Sequence, residues 1–265
     1  MLAHRSYRSV QVQALRYLAR PHQGVPTRPI EGPAAWRPGD FPDESSWSHS
    51  LRPAEIAALE SALRATRGRA LSGLHARDFS LGPLAARLPA WKACLGGGRG
   101  FLRLRGVPVA RWQPDEVERF FWALGQHLGR PGAQNGQGEL LGHVRDLRLG
   151  RTGELRQYMT SEKISFHCDA ADVVGLLCLQ PSASGGQSRI ASSVSIFNRI
   201  LELRPAWAAL LFEPMYFDAR GDGGTDAFRA RPCAYHRGRL RTFYHAEYMR
   251  TAERHPGIPA LRATA

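Results

Sequence analysis

In the stretch Ile164-Ser165-Phe166-His167-Cys168-Asp169 an imidazole and a carboxylate stand two residues apart. In an extended segment successive side chains point to opposite faces, so His167 and Asp169 would share one face. A neutral imidazole beside a carboxylate makes two corners of the two-histidine, one-carboxylate triad that binds non-haem Fe(II). That triad leaves the opposite face of the ion open to oxygen and a co-substrate. A lone His-x-Asp pair is common, so its meaning depends on the elements around it.

Short strands are expected around residues 164–166, 173–179, 189–193, 212–217 and 240–244. One helix, residues 194–203, interrupts them. Upstream, residues 100–106 alternate in polarity and then break at Gly106, which predicts another strand. Residues 114–128 predict an amphipathic helix: Asp115 and Glu116 open it, and Val117, Phe120, Phe121, Leu124 and Leu128 form an apolar stripe. Residues 53–63 have the same spacing, with Ser50 as the expected cap, and residues 79–95 read as a further helical piece. Many short strands separated by turn residues favour a sandwich or jelly roll over a parallel sheet. The expected fold class is therefore mainly β with flanking helices.

The chain has 265 residues, enough for a large core, and a net charge of +13. Only Lys92 and Lys163 are lysines; the other basic residues are arginines scattered along the sequence. No basic stripe interleaved with aromatics appears, so no nucleic-acid partner is expected. No apolar run approaches the roughly 18 residues of a membrane span, and no membrane partner is expected. Cys94, Cys168, Cys178 and Cys233 form no Cys-x-x-Cys pair, which fits reduced thiols in the cytoplasm. Residues 1–30 carry five arginines and no acid, leaving mitochondrial import as the alternative. Residues 1–46 read as an irregular arginine- and proline-rich arm, and residues 47–265 as one domain. That domain divides into a helical entry, 47–99, and a β core, 100–265.

Two stretches carry a resemblance. One runs from Gln134-Asn135-Gly136 to His143-Val144-Arg145-Asp146; the other is Phe166-His167-Cys168-Asp169-Ala170-Ala171-Asp172 with the apolar run after it. Together with Gly185-Gly186-Gln187-Ser188-Arg189 they resemble the taurine dioxygenase-like (TauD/TfdA) family, and the likeness extends over residues 47–259. The resemblance implies a double-stranded β-helix (jelly roll) with Fe(II) as cofactor, 2-oxoglutarate as co-substrate, and hydroxylation of a small organic substrate. It implies that His167 and Asp169 are metal ligands and catalytic, that Ser188 helps hold 2-oxoglutarate, and that Asn135 and His143 border the substrate. A turn-forming Asn and a structural His are the alternatives at the last two positions.

The family completes its site with a distal histidine, followed by an arginine that pairs with the far carboxylate of 2-oxoglutarate. Here residues 244–259 resemble the stretch that precedes those residues. The expectation is thus a β-helix truncated at its C-terminal end, with doubtful catalytic competence. The alternative is a degenerate homologue or non-catalytic binding module using the same pocket. His236, His245 and His255, with Arg250, Arg254 and Arg262 downstream, are the remaining candidates for a substitute third ligand. Substrate identity and oligomeric state stay open.

Overall fold

The structure, a computed structural model, describes residues 7–135, 137–146, 160–161, 163–220 and 226–260. In chain order these form α1 (Val10–Leu18), β1 (Ser48–Ser50), α2 (Pro53–Ala65), α3 (Leu88–Gly97), β2 (Arg103–Arg105) and α4 (Pro114–Leu128). There follow α5 (Ser193–Leu203), α6 (Pro205–Leu210), β3 (Met215–Asp218), β4 (Ala227–Ala230), β5 (Cys233–His236), β6 (Arg239–Thr242) and α7 (Ala246–Thr251). Two compact units result: residues 1–10, 32–141 and 172–185 form the first, and residues 11–31, 142–171 and 186–265 the second. None of the described helices is long and apolar enough to cross a membrane.

The first unit is helical around one core. Pro114 starts α4, and the Glu116 carboxylate accepts the backbone N–H of Gln113 at 3.0 Å. Val117, Phe120, Trp122 and Ala123 turn inward and meet Leu59 and Leu63 of α2, with Leu74, Phe79, Leu84 and Trp91 completing the core. A turn of 3-10 helix passes so close to α2 that Gly82 is required: its φ is +53°, and a Cβ there would stand 2.5 Å from that of Ala58. β1 and β2 pair in parallel.

Ser50 does not cap α2; it is the last residue of β1. The cap works in reverse. Glu55, fully buried, accepts the backbone N–H of Arg52 at 2.8 Å, the Arg52 guanidinium at 2.8 Å and His49 Nε2 at 3.1 Å. Its position in the first turn reaches back to the orphan N–H that a serine would otherwise leave to water.

The second unit holds the other strands, as two antiparallel hairpin-like pairs. β3 pairs with β4, and β5 pairs with β6. The link between β5 and β6 is the two-residue turn Arg237-Gly238, both at positive φ (49° and 77°), the pattern of a tight hairpin. Phe217, Phe243, Ala230, Met249 and Tyr17 form this unit's core. Tyr17 comes from α1, within the segment expected to be irregular. Val10, Ala14, Tyr17 and Leu18 recur at helical spacing, and the Tyr17 hydroxyl donates to the carbonyl of Thr242 at 2.8 Å. Beyond α1 the chain stays pinned: Gln23 N–H donates to the Tyr235 carbonyl at 2.8 Å, and Asn198 exchanges two 2.8 Å bonds with the backbone of Ile30.

The expected jelly roll does not appear among the described residues, whose six strands form three separate two-stranded sheets. The strands expected at 164–166, 173–179 and 189–193 are absent. Instead Phe166, Val173, Val174, Leu176, Leu179 and Ile190 are exposed. An apolar run becomes a strand only where a neighbour takes up its backbone N–H and C=O groups. Among the described residues the nearest such contact is a single bridge at His167, described below.

Glu55 sets a pH dependence. Burial raises its pKa, but the Arg52 side-chain and backbone hydrogen bonds and His49 outweigh burial and hold it at about 2, below its ordinary 4.5. A depressed carboxylate contributes stability above the unfolded pKa and loses it as pH falls through the folded one. Stability should therefore decline between pH 4.5 and 2, by at most about 3 kcal/mol from this group. Urea unfolding at stepped pH should show that decline in the wild type and a flatter profile in Glu55→Gln.

Candidate metal centre

His167 pairs with His245 in an isolated antiparallel bridge, and the Cys168 N–H donates to the carbonyl of Tyr244 at 2.8 Å. Residues directly opposite in such a bridge project to the same side. His245 therefore joins the face already shared by His167 and Asp169, and the two imidazole centroids are 5.1 Å apart.

The Nδ1 of His167 lies 2.9 Å from the carbonyl of Ser165. A carbonyl can only accept, so Nδ1 carries a proton, and in the neutral ring Nε2 presents a lone pair. That atom is 3.7 Å from Asp169 Oδ1. Two donors on one ion, with bonds of about 2.1 Å, stand between about 3.0 Å apart at a right angle and about 4.2 Å when opposite. The pair fits two coordination positions of a divalent metal. Both side chains are partly open to solvent, which leaves room for an approaching ligand.

His245 is more enclosed. Burial, reinforced by His167, pushes its pKa down to about 4 against the pull of Glu247 and Asp169. Its ring stacks on Tyr248 with centroids 3.7 Å apart and planes 15° apart. Its Nδ1 is buried and has no hydrogen-bond partner among the described residues. Of the three candidate substitutes only His245 reaches this face. His236 ends β5 at the hairpin, and His255 Nε2 lies 3.2 Å from Asp218. Even so, among the described residues no three His, Cys, Asp or Glu side chains converge closely enough to hold a metal ion.

A buried ionic cluster backs this face, and sequence reasoning missed it. The Arg220 guanidinium lies over Tyr248, 5.2 Å from the ring centroid, and donates to Glu247 at 2.9 Å. Arg220 sits at φ 51°, and its N–H donates to Asp218 Oδ1 at 2.9 Å. Asp218, whose side chain is wholly buried, also meets Arg254 Nε at 3.1 Å. Burial raises its pKa, and the Arg220 N–H, Thr251 and His255 more than reverse that, so it stays ionised. The chain Asp218–Arg220–Tyr248–His245 thus braces the ring opposite His167. The hint in the sequence was a carboxylate ending an apolar strand, Met215–Asp218, where water would otherwise be needed.

The other expected site residues are more loosely placed. The Asn135 side chain is engaged within its own loop, donating to Glu139 Oε2 at 2.6 Å and accepting the Glu139 N–H at 3.2 Å. His143 and Ser188 are exposed. Ser188 follows Gly185 and Gly186, both at positive φ (69° and 70°), and it forms no hydrogen bond among the described residues.

With this geometry in view, comparison with known proteins is decisive. The model of the "Taurine catabolism dioxygenase TauD, TfdA family" matches residues 68–258, more than half of the chain. The chain belongs to the TauD/TfdA family. Two relatives are consistent with this. FR-33289 synthase of Streptomyces rubellomurinus (strain ATCC 31215) is 32% identical over 226 residues, covering 82% of this chain and 66% of that protein. Taurine hydroxylase-like protein SAT17 of Stachybotrys chartarum (strain CBS 109288 / IBT 7711) is 28% identical over 195 residues, covering 70% of this chain and 51% of that protein. The chain thus spans between half and two thirds of the length of these TauD/TfdA relatives. TauD/TfdA members are non-haem iron oxygenases that depend on Fe(II) and 2-oxoglutarate.

The ionic cluster yields a contrast in stability. Asp218→Asn removes one of the two carboxylates beside the buried Arg220 guanidinium, Glu247 being the other, and should cost about 3 kcal/mol. Arg254→Ala removes a partner that is 41% exposed and should cost no more than about 1 kcal/mol. Chemical denaturation of the two variants measures the difference.

Proposed function

We propose that this chain is the iron-binding part of an Fe(II)/2-oxoglutarate-dependent dioxygenase that hydroxylates a small organic substrate. The observation that carries the reading is the pair His167 Nε2 and Asp169 Oδ1, two acceptors 3.7 Å apart in a TauD/TfdA chain. Bound iron with 2-oxoglutarate would supply oxygen activation coupled to decarboxylation of the co-substrate to succinate.

The protein's own groups have distinct tasks in this reading. The Ser165 carbonyl holds Nδ1–H of His167 and so aims Nε2 outward. Asp169 offsets part of the cation's charge. His245, kept neutral by burial, adds no positive charge beside it. Ser188 would donate its hydroxyl to 2-oxoglutarate, and Asn135 and His143 would border the substrate. The reading carries with it the family's double-stranded β-helix, with residues 47–265 as the catalytic domain and 1–46 as its N-terminal arm. The cysteines, free among the described residues, suit a reducing compartment such as the cytoplasm, with mitochondrial import as the alternative.

One observation favours a second reading, a degenerate homologue or non-catalytic binding module. No third protein donor completes the site among the described residues, and a two-donor chelate holds Fe(II) weakly.

Anaerobic titration with Fe(II) and 2-oxoglutarate separates the two. Under the enzymatic reading the wild type binds one Fe(II), binding weakens about 100-fold or more in His167→Ala and Asp169→Ala, and succinate appears on admitting air. Equal iron affinity in wild type and both variants would remove these residues from any metal site. Binding of 2-oxoglutarate or a substrate analogue that survives the double substitution, without succinate, would establish the binding module.

A further inference from the structure

We propose that the second unit carries a separate site for a small, multiply charged oxyanion, built from Arg20, Arg229, Arg231 and Arg241. These residues line a cavity of about 190 Å³ together with His22 and a floor that includes Leu18 and Pro214. Among the described residues no carboxylate lines it, and neither do His167, Asp169 or His245. The volume is roughly that of six liquid waters, room for one oxyanion group but not for a polymer.

Arg241 anchors the argument. It projects from β6, only 8% of it is exposed, and Nη1 donates to the carbonyl of Arg231 at 2.9 Å. Its Nε is buried and has no partner among the described residues. Among the described residues no carboxylate pairs with it, and Arg20 and Arg231 are its cationic neighbours. Burial lowers its pKa, and Arg20 and Arg231 add to that effect. An uncompensated buried guanidinium is costly, and clustering more cations around it raises the cost. An anion in the cavity reverses both terms, and the planar guanidinium fork matches two oxygens of a phosphate or carboxylate.

The remaining walls are arranged for the same guest. Arg20 and Arg241 lie on the Tyr17 ring, 5.0 Å and 5.6 Å from its centroid, which orients both. Arg229 rests over Tyr216 at 5.2 Å, and its Nη2 reaches only the Pro214 carbonyl at 3.4 Å. His22 stacks on Phe212, and its Nδ1 accepts the Tyr235 N–H at 3.3 Å. Its proton therefore sits on Nε2, one more donor at the cavity wall.

The test uses the full chain without metal, so that it is independent of any iron chemistry, and inorganic phosphate as the probe. Calorimetric titration and thermal unfolding are run at constant ionic strength with chloride as balance. One saturable site and a rise in Tm with phosphate are expected. Affinity should fall about tenfold or more in Arg241→Gln, and measurably in Arg229→Gln, whose exposed position spares the fold. The same Tm rise with chloride as with phosphate, or equal phosphate binding by wild type and Arg229→Gln, would overturn the site. So would affinity for oligothymidylates that grows with their length beyond that for phosphate, since that marks an open basic surface.

Discussion

Two acceptors facing each other at 3.7 Å repel unless a positive charge comes between them. That constraint organises the candidate centre. The Ser165 carbonyl accepts the Nδ1–H of His167, and so in the neutral ring leaves Nε2 as an acceptor facing Asp169. What is left is a lone pair and a carboxylate oxygen directed at one place. The same logic explains why the neighbouring imidazole is kept neutral. A protonated His245 beside that place would compete with the cation for Asp169. Burial beneath Tyr248 prevents it, and the Asp218–Arg220–Glu247 cluster holds Tyr248 in position.

Much of this was legible in local sequence, and what was not has a common cause. α2, α4 and α5 follow from apolar spacing of 3.6 residues, with proline at the first turn of α2 and α4 and a serine cap at α5. The His-x-Asp pair is local as well, because a period of two places both groups on one side. The bridge from His167 to His245 is different: it joins segments far apart in sequence, and no local period encodes it. The missing strands at 164–166, 173–179 and 189–193 fail for the reverse reason, since their apolar patterning is strand-like but a strand exists only with a partner. Glu55 shows a subtler limit. Its carboxylate caps the helix from inside, taking the Arg52 N–H rather than the first-turn N–H groups that a serine cap would take.

Family membership and geometry bear on different parts of the molecule. The TauD/TfdA match covers residues 68–258 and so includes both ligand candidates. The relatives extend well beyond the matched stretch. Within the described residues the metal face has two strong donors and a neutral third ring, while Ser188 and His143 lie exposed on irregular segments. The rigid elements thus hold the bridge partner of the candidate pair, and the residues proposed to meet co-substrate and substrate lie on loops.

The placement of α1 bears on how much of the N-terminal segment the fold can lose. Tyr17 fills the core of the second unit, Gln23 and Ile30 are tethered to the backbone of Tyr235 and the side chain of Asn198, and Arg20 and His22 wall the arginine cavity. Proteolytic trimming anywhere between residues 20 and 31 would therefore excise a structural plug. The contacts reach further still, since Arg8 bridges Gly132 and Tyr7 packs on the first unit's core, so a cut that spares the described fold would fall before Tyr7.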